Sequence, residues 1–293
     1  MLPKFELLTP TTLNEASELA KKYGKQACFF AGGTDLLVML HEGKLEIDYL
    51  ISLKGIDGLR GIEYMQDGSI KIGALTTFNE IIKHPYILEY YEFFLDGMSK
   101  IGSTQVRNRA TIGGNICNAI PSADSVPVLL VADAKLCLDD GVKNRELALN
   151  EFFLSTRKTA LRDGEILTHI VIPPMKTNSA AAYYKFTRRK AMDIALFGVA
   201  TYLEVAENNI CECARIAFAT SAPIPLRIKE AEEFLRGKEL TEENINQAGS
   251  IAADSAAPRT SFRATAQYRK QLMRALMPRT IKLTLERLRV KGR

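Results

Sequence analysis

The chain has few of the residues that hold metals. It carries three histidines, His41, His84 and His169, and five cysteines in 293 residues. Neither set has ligand spacing: there is no CxxC, and Cys211-Glu212-Cys213 is the only close pair. With Cys28, Cys117 and Cys137 scattered elsewhere, the odd count indicates reduced, mostly buried thiols rather than a metal site or a disulfide framework. In a strand, Cys211 and Cys213 are expected to face the same side. No apolar run approaches the roughly 18 to 20 residues that cross a bilayer. The opening MLPKFELLTP lacks the charged head, apolar stretch and small-residue cleavage site of a signal peptide, so a cytoplasmic protein is expected. Excess charge is also small, a formal +5, with Lys and Arg spread along the chain and densest over its last thirty residues. A nucleic-acid partner is therefore not expected. Finally, no G-x-G-x-x-G follows a strand and no G-x-x-x-x-G-K-[ST] occurs, which excludes the Rossmann fingerprint and the P-loop.

What is present is an ordinary globular composition, 46% apolar and 25% charged, at a length that favours two domains. Thr12-Leu13-Asn14-Glu15 reads as a capping box, followed by Leu13, Ala16, Leu19, Ala20 and Tyr23 at helical spacing and stopped by Gly24. Ala27 to Phe30 reads as a buried strand, Leu36 to Leu40 as a helical turn, and residues 45–53 as another strand. A second capping box, Thr77-Phe78-Asn79-Glu80, opens a helix that ends near His84-Pro85, and a further helix is expected from Glu89 to Ile101. Residues 106–124 read as loop before a helix and a strand. EILTHIVIPP (165–174) is a strand closed by two prolines, and with the polar 176–179 segment it marks a domain boundary, giving domains 1–176 and 177–293. Beyond it, two strands join at Glu207-Asn208-Asn209, and a basic helix runs from about Ser261 to Leu288, kinked at Pro278.

Two glycine pairs stand out, Gly32-Gly33 and Gly113-Gly114, each beside a threonine (Thr34, Thr111) and a polar partner (Asp35, Asn115). Without Cβ atoms, successive backbone N–H groups can curl around phosphate oxygens, and a helix starting just after adds its dipole. Either pair alone is equally readable as a tight turn. Together they point to a diphosphate ligand held from both sides.

AGGTDLL, followed about 75 positions later by QVRNRATIGGNICNAIPSADSVPVLLVADA, resembles the FAD-binding subunits of the molybdenum hydroxylases, the medium subunits of bacterial xanthine dehydrogenase, carbon monoxide dehydrogenase and their relatives. EILTHIVIPP, YYKFTRRKAMDIA and SFRATAQYRKQLM extend the likeness in order along essentially the whole chain. The resemblance implies an α+β fold: a two-part FAD-binding domain of the vanillyl-alcohol oxidase (PCMH) type, then a smaller α+β C-terminal domain of the carbon monoxide dehydrogenase flavoprotein type, an antiparallel sheet plus helices. It implies that Phe29, Phe30, Ala31, Gly32, Gly33, Thr34, Asp35 and Leu36 form the first loop around the FAD pyrophosphate, with Thr111, Ile112, Gly113, Gly114 and Asn115 opposite. Asp124 would hydrogen-bond the adenosine end with Ile101 against its apolar face. Leu167 and Lys185 would lie near the isoalloxazine, where the lysine would stabilise the anionic reduced ring. Read from the residues alone, Asp124 could equally cap the following helix, and Lys185 could be a solvated surface lysine. One departure is Ile120, where the family often has Ser or a similarly small residue. No His sits near the glycine loop in the manner of covalently flavinylated relatives, so FAD is expected to be non-covalent.

The function implied is an electron-transfer oxidoreductase subunit with no catalytic or metal-ligating residues of its own. It would accept electrons from [2Fe-2S] clusters on a small subunit and pass them to NAD+ or another acceptor. The molybdopterin would sit on a large subunit, in a heterotrimer or its dimer, and would choose the substrate. Purines are slightly favoured. Two other readings stand beside it: a stand-alone flavin-dependent oxidase or dehydrogenase, and a non-enzymatic assembly subunit that has lost FAD.

Overall fold

The computed structural model describes residues 2–291. Its first unit grows from the helix start at Thr12. The Thr12 hydroxyl accepts the Glu15 N–H at 3.2 Å, while the Glu15 carboxylate takes the N–H of Thr11 at 2.9 Å, one residue earlier than a closed capping box would. The resulting helix α1 (Leu13–Tyr23) links strand β1 (Glu6–Leu8) to β2 (Ala27–Phe30), and α2 (Leu36–His41) links β2 to β3 (Tyr49–Ser52). These strands form a parallel sheet in the order β1-β3-β2, with Ala27 and Glu6 both in register with Tyr49. The first glycine loop is therefore the connection at the carboxyl end of a parallel strand, the usual place for a ligand in such units.

The second unit is a five-stranded antiparallel sheet. Strands β4 (Ile62–Tyr64), β5 (Ile70–Gly73), β6 (Lys135–Asp139) and β7 (Asn144–Ala148) flank a later central strand, and β8 (Phe153–Ser155) and β9 (Lys158–Thr159) make a small hairpin. The central strand is β10 (Ile166–Ile172), in the order β4-β5-β10-β6-β7. Helices α3 (Phe78–Ile81), α4 (Pro85–Tyr90), α5 (Phe93–Met98), α6 (Thr104–Arg107), α7 (Ile112–Cys117), α8 (Ser125–Val131) and α9 (Leu149–Phe152) fill the connections. The capping box at Thr77 closes fully. The expected single helix from Glu89 to Ile101 is instead α4 and α5. They break at Tyr91, whose ring is buried and whose hydroxyl donates to the Pro173 carbonyl at 2.9 Å. The stretch read as loop takes in the end of α6 and the whole of α7.

The third unit is an antiparallel sheet of β11 (Ser179–Phe186), β12 (Phe197–Val205), β13 (Cys211–Ala219) and β14 (Leu226–Arg227). Helices α10 (Lys229–Leu235), α11 (Glu242–Ser255) and α12 (Ala266–Lys291) form a core with it, while α5 and α8 pack on its strands too. The last helix begins five residues later than expected and runs through Pro278, which is buried against Gly249 of α11. The architecture is the expected α+β.

Cys211 and Cys213 do not share a face. Val205 pairs with Cys211 and Glu204 with Cys213, so Glu212 is an extra residue in a β-bulge. Cys211 consequently packs into the helix-covered core and Cys213 against the core of the preceding unit. All five cysteines are free, but only Cys211 is fully buried. Among the described residues no three His, Cys, Asp or Glu gather as a metal site, and no helix is long and apolar enough to cross a membrane.

Candidate functional site: a cleft between two glycine loops

An open cleft of about 630 Å³ lies where the three units meet, lined by the β2–α2 loop, the start of α7, the segment around Asp124, Lys185 of β11 and the β11–β12 loop. Its size falls within the roughly 300–1,000 Å³ of ligand clefts.

The first loop is built around Gly33. Its φ of +76° is a left-handed conformation that side chains rarely adopt, and a Cβ there would lie 2.5 Å from Cε2 of Phe30. Gly32 is glycine for a different reason, since its Cβ would lie 2.1 Å from the Arg109 carbonyl oxygen. The first loop thus packs directly on the backbone of Arg109 and Ala110, which lead into the second loop. The N–H groups of Gly32, Gly33, Thr34 and Asp35 donate to no acceptor among the described residues, and the bonds that follow begin with Leu37 N–H to the Gly33 carbonyl at 3.0 Å. Successive N–H groups without a protein acceptor, on residues that line a cleft, are donors of the kind that suits an anion.

The second loop differs. Ile112 N–H donates to Thr76 and Gly113 N–H to Ala74, at 3.0 and 2.8 Å. Gly114 N–H goes to the Thr111 hydroxyl at 3.2 Å and Asn115 N–H to the Thr111 carbonyl at 3.0 Å. A Cβ on Gly113 would meet Ala74 Cβ at 2.6 Å, so this glycine serves packing on the end of β5. What the second loop offers the cleft is side chains: the Thr111 hydroxyl proton, and the Asn115 amide, whose oxygen accepts from Ser125 at 2.6 Å.

Asp124 is 6% exposed. It stands at the N-cap of α8 but makes no capping bond. Instead Oδ1 accepts from the Tyr183 hydroxyl at 2.8 Å and Oδ2 from Lys185 Nζ at 2.7 Å. Lys185 is no solvated lysine either, its side chain being 6% exposed. It also donates to the Lys100 carbonyl at 3.0 Å. Burial pushes the Asp124 carboxyl up, against the opposing pull of Lys185 and Tyr183, and pushes the Tyr183 phenol well up. Asp124 and Lys185, expected at the two ends of one long ligand, thus lie side by side, with Oδ2 and Nζ 2.7 Å apart. Nor is Lys185 a lone cation, because its charge enters the cleft as half of an ion pair.

Phe29, Ala31, Gly32, Gly33, Thr34, Asp35, Leu36, Ile101, Thr111, Gly114, Asn115, Asp124 and Lys185 all line the cleft. Four expected residues lie behind it. Phe30 backs Gly33 and carries the Lys54 ammonium 4.1 Å above its ring, and Ile112 and Gly113 are the buried part of the second loop. Leu167 is 4% exposed and packs in the core as part of β10, one strand below Ala74, so it is not a lining residue.

The sequence reading missed Met39 and Arg157, which close one side of the cleft, and Met192 and Ile194 on the β11–β12 loop. Arg157 has φ +61° and donates to Asn118 Oδ1 at 3.0 Å. Nothing local in the sequence marks it. Cys28 and Cys117 also line the cleft; burial raises both thiols, Cys117 to about 12, so neither is a thiolate at neutral pH.

Residues 3–175 match the family described as the FAD binding domain in molybdopterin dehydrogenase, and residues 182–284 the CO dehydrogenase flavoprotein C-terminal domain. The chain is 34% identical over 257 residues to a xanthine dehydrogenase FAD-binding subunit of Escherichia coli, covering 87% of this chain and 88% of that one. It is 32% identical to the nicotinate dehydrogenase FAD-subunit of Eubacterium barkeri, with 91% of each covered. A chain of the carbon monoxide dehydrogenase of Hydrogenophaga pseudoflava superposes with a TM-score of 0.94 at 30% identity, over 98% of this chain and 99% of that one.

Proposed function

The chain belongs to the family of FAD-binding domains of molybdopterin dehydrogenases, and from that premise we propose that it is the FAD-carrying electron-transfer subunit of a multi-subunit molybdenum hydroxylase, an oxidoreductase that turns over no substrate alone. The observation that carries this reading is the row of four free N–H groups from Gly32 to Asp35 on the wall of the cleft. Such donors suit a diphosphate, and they are already in place before any ligand arrives.

The residues present fit FAD, and their tasks follow from their chemistry. The N–H groups of Gly32, Gly33, Thr34 and Asp35, with the Thr34 hydroxyl, hold the diphosphate. The side chains of Thr111 and Asn115 add donors from the other side. Asp124, fixed by Tyr183 and Lys185, presents an immobile polar pair at one end of the ligand. Ile101, Val106, Met192 and Ile194 supply apolar wall that excludes water. Bound non-covalently there, FAD exchanges electrons singly or in pairs and so can link one-electron and two-electron carriers. The donors would be [2Fe-2S] clusters on a small subunit and the acceptor NAD+ or another carrier. A large subunit would hold the molybdopterin, in a cytoplasmic heterotrimer or its dimer. The division into residues 1–176 and 177–293 belongs to the same reading.

The test is a visible absorption spectrum of the purified chain before and after adding FAD. One flavin per chain, native or on reconstitution, is expected. A chain that takes up no flavin under either condition would overturn the assignment.

A further inference from the structure

Near the β11–β12 side of the cleft, positive charge gathers that no carboxylate among the described residues balances. Arg269, near the start of α12, is 5% exposed and donates to the carbonyls of Leu196 and Thr220 and to Ser261 Oγ. Its Nε has no partner, and neither has the buried Ser221 hydroxyl beside Thr220. Elsewhere partly buried arginines face carboxylates: Arg145 meets Glu165, Arg227 meets Glu232 and Arg287 meets Asp96. Around Arg269 the neighbouring charges are Arg259 and Arg263, which together with burial pull its guanidinium below the usual arginine value. Buried charge without a counter-charge is costly, so such a cluster calls for one from outside.

By holding Leu196 and Ser261 at once, Arg269 brings the 187–196 and 256–265 segments together. Both expose large apolar side chains. Phe262 is 82% exposed with the Arg263 guanidinium 4.3 Å above its ring, and Met192 and Ile194 are 63% and 44% exposed on the neighbouring segment. Arg188 and Arg189 lie there too. The one carboxylate in these two segments, Asp193, already accepts from both of their N–H groups and from the Arg189 side chain. Met192, Asp193 and Ile194 also line the cleft, so whatever covers this surface sits at the cleft's edge.

We propose that the 187–196 and 256–265 segments form the docking surface for the electron-donating partner subunit, which presents an acidic face with an apolar seat for Phe262. This rests on the reading above that the chain carries FAD within a complex. Aromatic and arginine side chains are the anchors that dominate protein interfaces. Unbalanced positive charge selects an acidic partner and speeds its arrival. A seat at the cleft's rim also keeps the electron path short.

The test uses the tagged chain purified at low salt from the cells that make it, with flavin, iron and the [2Fe-2S] absorption measured per chain. Arg259→Glu with Arg263→Glu should lower iron per flavin at least about tenfold and leave flavin per chain unchanged, which also reports that the variant folds. Phe262→Ser should lower it as well, whereas Lys22→Glu with Lys25→Glu, at the end of α1 and outside both segments, should not. Rising salt should strip iron from the wild type. Iron retained by the double reversal would overturn the proposal, as would loss of bound nucleic acid in place of iron. Wild-type chain holding flavin but no iron would refute the complex itself, a separate failure.

Discussion

In the first glycine loop four successive N–H groups have no acceptor among the described residues, whereas in the second every N–H from Ile112 to Asn115 is already bonded within the chain. The letters are alike, paired glycines beside a threonine and a polar residue, yet the physical reasons differ. Gly33 is required by a positive φ, and the backbone around it stays open to the cleft. Gly113 is required because Ala74 leaves no room for a Cβ. A glycine pair signals close approach of something, and the fate of its N–H groups tells whether that something is the protein itself or a ligand.

The largest effect should come from Gly33→Val. The new side chain would enforce a strained backbone, costing about 1–2 kcal/mol, and strike Phe30, turning the free N–H groups out of their arc. FAD binding should weaken at least about 100-fold (roughly 2.7 kcal/mol) while the circular dichroism stays native. Undiminished flavin uptake would mean that the first loop is not the cradle. Gly113→Ala should do the opposite. A Cβ 2.6 Å from Ala74 Cβ forces backbone apart, destabilising the apo chain by about 1–3 kcal/mol. The rise in Tm on adding FAD should persist from the lower baseline, because no ligand donor is lost. If Gly113→Ala abolished that rise without lowering the baseline, the contrast between the loops would collapse.

Much of the first loop's setting was legible because its signals are local. The hydroxyl at Thr12, the helical period over α1 and the apolar run into Gly32 each act within a few residues. The rest depended on partners far along the chain. Four- and six-residue helices such as α6 and α7 are too short to show a period. The break at Tyr91 is set by a carbonyl 82 residues away, and the bulge at Glu212 by register with β12. Asp124 meets Tyr183 and Lys185 across 59 and 61 residues, which is why a resemblance could name both Asp124 and Lys185 yet place them at opposite ends of the ligand. Leu167 reads the same whether it faces a cleft or a core, and the pairing of β10 decides for the core.

A milder probe of the second loop is Thr111→Val, which keeps the shape and removes the hydroxyl that accepts the Gly114 N–H at 3.2 Å. Losing a helix cap of this kind costs about 1 kcal/mol. Flavin affinity should fall by less than about tenfold, since only one side-chain donor goes and the four N–H groups of the first loop remain. A loss as large as that of Gly33→Val would show that the second loop carries the diphosphate after all.

Acid should separate the loops through their supports, with the smallest effect. Glu165 is held by Arg145 Nε at 2.7 Å and Nη2 at 2.8 Å, and the next residue, Ile166, packs with Ala16 of α1 and Ile51 of β3, beneath the first loop's sheet. Bonding to Arg145 holds the Glu165 carboxyl below its ordinary value of 4.5. A carboxyl whose folded pKa is depressed gives stability that is complete above its unfolded pKa and lost as pH falls through the folded one. Wild-type Tm should therefore drop as pH falls below about 4.5. Glu165→Gln, already without that charge, should start from a lower Tm and show a shallower decline over the same window. Parallel curves for the two proteins would mean that the brace under the first loop is not electrostatic.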